Sequence, residues 1–209
     1  MILKRFKRTL RILRFEMRSY VLSFYGYFKS KMIKKSNLRR LEIGAGNKKR
    51  DGFITLDLSL HVDVPYDLLM GLPFPDNTFE LIYAEHVLEH LAYKDLKDIL
   101  KECLRCLKKG GVLKIAVPNT KIWIDGYFSS DFDINEYCDY EFGLEYLSNI
   151  DYLNYIFYMD EEHKYMFDEK NIIELFLKIG FKEAKIRDFE EDLDKPERKS
   201  TSLYAMAIK

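Results

Sequence analysis

A few residues at fixed spacing carry the chemistry open to this sequence. Glu42, Gly44, Ala45 and Gly46 lie in and after the apolar run Leu41-Glu42-Ile43, and Asp57 closes the next run, Phe53-Ile54-Thr55-Leu56. A strand that runs into glycines lets a ligand approach the backbone closely. An acid at the tip of the following strand can accept from both hydroxyls of a ribose. Together they describe a nucleoside-cofactor site at the carboxyl edge of a parallel sheet. Farther along, Glu85-His86-Val87-Leu88-Glu89-His90 and His163 supply imidazoles and carboxylates. Imidazoles titrate near neutral pH and suit proton transfer there.

The glycine spacing selects among cofactors. A dinucleotide site wants G-x-G-x-x-G opening a helix, with the pyrophosphate on the helix N-terminus. Here Asn47-Lys48-Lys49-Arg50 follow Gly46, and the next glycine is Gly52. Only 11 positions separate Gly46 from Asp57, too few for a full helix and a strand. Glu42 has no role in pyrophosphate binding, but it could hold an ammonium through the loop. These features point away from a nicotinamide dinucleotide and towards S-adenosylmethionine.

Over residues 38–209 the chain resembles the class I S-adenosylmethionine-dependent methyltransferases. Glu42-Ile43-Gly44-Ala45-Gly46 is similar to the family's first motif, with Lys48 where its third glycine often stands. Asp57 matches the ribose acid, and Asp67-Leu68 the acidic position beside the adenine. Leu72-Pro73-Phe74-Pro75-Asp76-Asn77-Thr78-Phe79 resembles the run into the fourth strand, and Leu107-Lys108-Lys109-Gly110-Gly111-Val112-Leu113 the entry to the fifth. The resemblance implies an α/β fold: a Rossmann-like seven-stranded sheet with a terminal antiparallel hairpin. It implies S-adenosylmethionine as cofactor and S-adenosylhomocysteine as product, held by Glu42, Gly44, Ala45, Gly46, Asp57, Leu58, Asp67, Leu68 and Glu85. Glu85 to Leu91, Val117-Pro118-Asn119 and His163 to Asp168 are similar to a subgroup often linked to surface-glycan biosynthesis. That suggests O-methylation of a sugar hydroxyl on a glycan or on a lipid- or nucleotide-linked sugar. His86, His163 and Glu85 are the candidate proton acceptors. An RNA or protein methyltransferase, or a non-catalytic binding module on the same fold, is the alternative.

Two motifs invite a metal reading. His86-Val87-Leu88-Glu89-His90 fits the H-x-x-E-H spacing that sets two imidazoles on one helix face. Its place, at the end of a central strand beside a cofactor loop, argues against a zinc protease. Some methyltransferases hold a metal here with Glu-x-x-Glu-His, but His86 replaces the first Glu, and the expectation is no metal. Cys103-x-x-Cys106 falls inside the helical apolar pattern Leu96, Ile99, Leu100, Cys103, Leu104, Leu107 and reads as packing.

The elements that position these residues alternate. Strands are predicted at 39–43, 53–57, about 62–66, 80–84, 112–117, 182–189 and 202–208. Helices are predicted at 87–107, with a break allowed near Tyr93, and at 168–179, with Asp168 as its start signal and Gly180 as its stop. The 209 residues carry 34 basic and 34 acidic side chains, yet residues 1–40 hold thirteen bases against Glu16 alone. That segment is therefore +12 and residues 41–209 are −12. Residues 1–37 read as a basic amphipathic extension, packed on the domain, lying on an anionic membrane through residues 1–35, or binding nucleic acid. Residues 121–163 interleave acids with aromatics, among them Trp123, Tyr127, Tyr137 and Tyr140. They read as a lid whose aromatic faces stack on sugars and whose carboxylates repel nucleic acid. Three cysteines, no signal-peptide pattern and no span of ~20 apolar residues lead to a cytoplasmic expectation, at most peripheral at the inner membrane face. The oligomeric state is open.

Overall fold

The computed structural model describes residues 2–34, 39–129, 132 and 147–209. Its apolar runs form seven strands: β1 (Arg40–Ile43), β2 (Ile54–Asp57), β3 (Val64–Pro65), β4 (Phe79–Glu85), β5 (Leu107–Pro118), β6 (Glu183–Ile186) and β7 (Ser202–Ile208). They make one sheet in the order β3-β2-β1-β4-β5-β7-β6. Strands β1 to β5 run parallel, and β7 is antiparallel to both of its neighbours. The central strands bury both faces: Leu41, Ile43, Ile82, Leu113 and Ile115 make one apolar face, and Glu42, Thr55 and Tyr83 are buried on the other. Helices α2 (Tyr93–Cys106) and α5 (Glu169–Ile179) pack on the apolar face, and the β6–β7 connection reaches the other through Asp194 on Tyr83 and Glu190 on Lys114. The terminal hairpin lets β7 enter antiparallel beside β5 without a crossover helix.

Among the described residues five α-helices accompany the sheet: α1 (Ile2–Met32), α2 (Tyr93–Cys106), α3 (Thr120–Phe128), α4 (Ile150–Tyr158) and α5 (Glu169–Ile179). Helix α2 buries Leu96, Ile99, Leu100, Cys103 and Cys106, one face at 3–4 residue spacing. Both cysteines are free thiols in that face. Its last turn also fixes the loop before β4, because Arg105 donates to the Leu72 and Phe74 carbonyls and pairs with Asp76. Helix α5 starts where the Asp168 carboxylate accepts from the Asn171 amide at 2.6 Å, and it stops at Gly180.

Some expectations change. The helix predicted over 87–107 is broken: Leu88–His90 is a single 3-10 turn, Leu91 and Ala92 are extended, and α2 begins at Tyr93. His86 has φ +52° and sits before that turn, so His86 and His90 do not share a helix face. Strand β5 starts at Leu107 rather than 112, and β6 ends at Ile186 because Arg187 turns inward. As the short Gly46–Asp57 spacing predicts, residues 44–53 contain no helix. Of the lid, residues 130, 131 and 133–146, including Tyr137 and Tyr140, lie outside the described residues, as does the boundary placed at residue 37. The described aromatics Trp123 and Tyr152 pack with Ile156 as a small core of their own.

The β6–β7 connection is anchored by a buried ion pair. The Arg187 guanidinium grips Asp194 through two bonds of 2.6 Å, and Asp194 also accepts from the Tyr83 hydroxyl at 2.9 Å and the Glu190 amide at 2.8 Å. Burial alone would raise the Asp194 carboxyl, but Arg187 and the hydrogen bonds outweigh it and hold the pKa below the ordinary value. Asp194→Ala leaves a buried guanidinium without its partner and should cost about 3–5 kcal/mol of stability. Urea unfolding checks this. The contribution of a depressed carboxylate is present above its unfolded pKa and fades as pH falls through the folded one. The gap between wild type and variant should therefore narrow only in acid.

Candidate active site

The strand order reverses between β1 and β4, so their following loops diverge and leave a crevice at the carboxyl edge of the sheet. A cavity of about 440 Å³ fills this crevice. The loop after β1 supplies Gly44, Ala45 and Gly46 to its wall, β2 supplies Asp57 and Leu58, and the segment after β3 supplies Tyr66, Asp67 and Leu68. The end of β4 supplies Glu85, His86 and Val87. Eight of the nine residues expected to hold a cofactor therefore meet in one place. Glu42 is the exception, since it does not line the cavity. It is buried and pairs with Arg50 Nε at 3.0 Å, so the cation it holds is the chain's own.

Local geometry explains the residue types. Gly44 has φ +70°, and a Cβ there would stand 2.0 Å from Val87 Cγ2. The backbone of the first loop can pass the β4 loop only without a side chain. Gly44→Ala should therefore strain the turn by roughly 1–3 kcal/mol and weaken nucleoside binding, as calorimetric titration would show. The Asp57 carboxylate accepts from the Gly46 amide at 2.9 Å, tying the loop to the acid. Burial raises its pKa, and the Gly46 and Leu58 amides pull in the other direction. Asp67 caps the 3-10 turn Leu68–Met70 by accepting from the Leu69 amide.

The β6–β7 connection, read in the sequence only as a charged loop, roofs the cavity with Lys195 and Arg198. Lys195 donates its amide to Glu85 Oε1 at 3.1 Å, and its ammonium lies 3.4 Å from Glu85 Oε2. That buried Oε2 has no hydrogen-bond partner among the described residues. A buried acceptor of this kind, with two cations beside it, suits the ammonium and carboxylate of an amino-acid tail.

Behind the first cavity lies a second of about 460 Å³, and His86, His90 and Arg198 line both. Glu89 is at its floor, fully buried, and neither carboxylate oxygen has a hydrogen-bond partner of good geometry among the described residues. Burial pushes its pKa up to about 8. His86 Nδ1 is 3.3 Å from Glu89 Oε1, and His86 Nε2 is 2.8 Å from the Ser202 hydroxyl. Burial, reinforced by Arg198, lowers the His86 pKa to about 3, so the ring is neutral. The Glu89 carbonyl accepts from the Lys164 and Tyr165 amides, which brings His163 to the same place. His163 Nδ1 meets the Ile156 carbonyl at 2.5 Å, and His90 Nδ1 the Glu162 carbonyl at 3.2 Å. Carbonyl oxygens only accept, so both rings carry a proton on Nδ1; burial lowers the His163 pKa and leaves that ring a lone pair at Nε2. Glu89, His90 and His163 each place a ligand atom within 4.8 Å of the others, a spacing that could hold a divalent ion. The sequence had flagged His86, His163 and Glu85. Glu89 stands in the sequence only as part of the H-x-x-E-H motif, and Lys195 and Arg198 only as part of a charged loop, because nothing local marks a carboxylate as buried or a distant loop as a roof.

Comparison with known proteins agrees with this geometry. Residues 41–115 match the methyltransferase domain family. An uncharacterized protein of Methanocaldococcus jannaschii is 38% identical over 89 residues, 39% of this chain and 38% of that protein. A Mycolicibacterium smegmatis protein named as a probable S-adenosylmethionine-dependent methyltransferase is 36% identical over 58 residues, 28% of this chain and 22% of that one. The chain thus spans well under half the length of either curated relative. Among solved structures, an S-adenosylmethionine-dependent methyltransferase of Archaeoglobus fulgidus aligns over 95% of this chain and 94% of its own, with TM-score 0.52 and 19% identity. One of Thermotoga maritima aligns over 95% and 97%, with TM-score 0.51 and 18% identity. At that identity the match carries the fold.

Proposed function

We propose that the chain, built on the methyltransferase domain of residues 41–115, is an S-adenosylmethionine-dependent methyltransferase acting on a sugar hydroxyl. The observation that carries the reading is the meeting of two cavities at His86, His90 and Arg198, with a buried carboxylate and two oriented imidazoles at the junction. In the first cavity Asp57 takes the ribose hydroxyls and Asp67 with Leu68 flanks the adenine. Glu85 faces the ammonium of the methionine end, and Lys195 and Arg198 its carboxylate. The bound sulfonium supplies a methyl group that is already activated. What remains for the chain is to align an acceptor and remove its proton.

The second cavity suits a sugar. Trp123 and Tyr155 offer aromatic faces, and Glu162 and Glu197 offer carboxylates that accept from hydroxyls. Its acids disfavour a phosphate backbone. The acceptor hydroxyl loses its proton to the His163–Glu89 group: His163 Nε2 is the free lone pair, and Glu89 can hold a proton in the interior. The test is methyl-labelled S-adenosylmethionine offered with nucleotide- and lipid-linked sugars, tRNA and peptides. Label in a sugar supports the reading. Label only in tRNA or peptide overturns the acceptor, and no cofactor binding overturns the activity.

A further inference from the structure

Helix α1 has two faces with different duties. In its second half Ser19, Leu22, Ser23, Gly26 and Ser30 are buried against the domain. The Ser19 hydroxyl donates to the Asp67 carboxylate, the Asp67 amide donates to the Ser23 hydroxyl at 3.0 Å, and the Ser30 hydroxyl donates to the Pro73 carbonyl at 2.9 Å. A Cβ on Gly26 would stand 1.9 Å from the Pro65 carbonyl oxygen, so the contact is close and specific. The helix therefore packs behind Asp67, which lines the first cavity, and is not a loose tether.

The opposite face is covered by nothing in the described chain. Phe6, Leu10, Leu13, Met17, Tyr20 and Phe24 recur at alternating spacings of four and three, and all are exposed; Met17 and Phe24 are each 69% accessible. The described side chains from Thr9 to Arg18 touch solvent throughout, so this half of the helix projects past the domain. Arg11, Arg14, Arg18 and Lys29 border the apolar stripe on one side. In sequence, residues 2–32 carry nine bases and Glu16 as the single acid, against −12 for residues 41–209.

We propose that α1 docks on an anionic lipid surface, its apolar stripe in the interface and its basic border on the headgroups. The stripe alone would also fit a second copy of this chain as a coiled coil. Charge decides between them. Two such helices side by side would bring together sixteen net positive charges from residues 2–32, with Arg14 flanking the seam where an acid is needed. An anionic bilayer attracts this helix and repels the acidic domain, which leaves only one way up. RNA fits less well, because the cations border the stripe and do not sit among its aromatics. No helix among the described residues is long and apolar enough to cross a membrane, so the contact is interfacial.

The test uses the full chain, without cofactor, in vesicle sedimentation. Vesicles of phosphatidylcholine mixed with phosphatidylglycerol should carry the protein down at about 0.1 M salt and release it near 1 M, whereas pure phosphatidylcholine should not. The triple variant Leu10→Glu, Leu13→Glu, Met17→Glu changes exposed positions only and keeps good helix formers. It should bind mixed vesicles at least about tenfold more weakly, with an unchanged circular dichroism spectrum. Wild-type protein left in the supernatant, or equal sedimentation of the variant, would overturn the proposal. So would a lipid-free dimer that the variant dissolves, or binding to RNA but not to vesicles.

Discussion

Asp57→Ala is expected to remove most binding of both S-adenosylmethionine and S-adenosylhomocysteine. The carboxylate stands at the end of β2, inside the crevice, with the Gly46 amide on one oxygen. Two ribose hydroxyls enclosed there would lose a charged acceptor worth about 1.5–3 kcal/mol, or roughly 10- to 150-fold in affinity. Asp57→Asn keeps the shape and an acceptor oxygen while losing the charge, so it should fall in between. Calorimetric titration reads both. Unchanged affinity in the alanine variant would show that the ribose lies elsewhere.

The largest effect on turnover is expected from Glu89→Gln. The substitution preserves volume and removes a carboxylate that is fully buried beside His86 Nδ1. Loss of a positioned proton acceptor costs on the order of 10²–10⁴ in rate. The Kd for S-adenosylhomocysteine should barely move, because Glu89 does not line the first cavity. His163→Ala should share this signature, since its lone pair faces the same junction. With the Glu89 pKa near 8, turnover should climb as pH rises through that value, and Glu89→Gln should flatten the climb. The same raised pKa has a cost. Its stabilising share is full below the unfolded value of 4.5 and is lost as pH rises towards 8. A carboxylate kept under those terms is a candidate for chemistry. Full turnover in both variants would remove the proton-acceptor role.

Much of this arrangement was legible in the sequence, for identifiable reasons. A central strand of a parallel sheet leaves a run rich in apolar residues, and the runs ending at Ile43, Leu56 and Val117 declared themselves. Gly44 was legible because its turn demands a residue without a side chain, and Asp57 because an acid closing β2 falls at the carboxyl edge of the sheet, where it lines the crevice. Asp168 and Gly180 marked both ends of α5. The departures share a cause in long-range contacts. His86-Val87-Leu88-Glu89-His90 reads as a helix face locally, yet His86 takes a left-handed conformation and packs on Ser202, 116 positions away. Arg187 and Asp194 look like solvent-facing charges, but they close over Tyr83 and set the loop that roofs the cofactor cavity. Glu42 looked available to a ligand, and Arg50 from the following turn takes it. No local pattern records any of these partners.

The most direct test of the central claim is the crystal structure of the full chain with S-adenosylhomocysteine. The ribose hydroxyls should lie within hydrogen-bond distance of Asp57, the adenine beside Asp67 and Leu68, and the amino-acid tail between Glu85 and Lys195. The sulfur should point past His86 into the cavity floored by Glu89. A nucleoside bound outside the crevice between β1 and β4, or a sulfur turned away from that cavity, would contradict it.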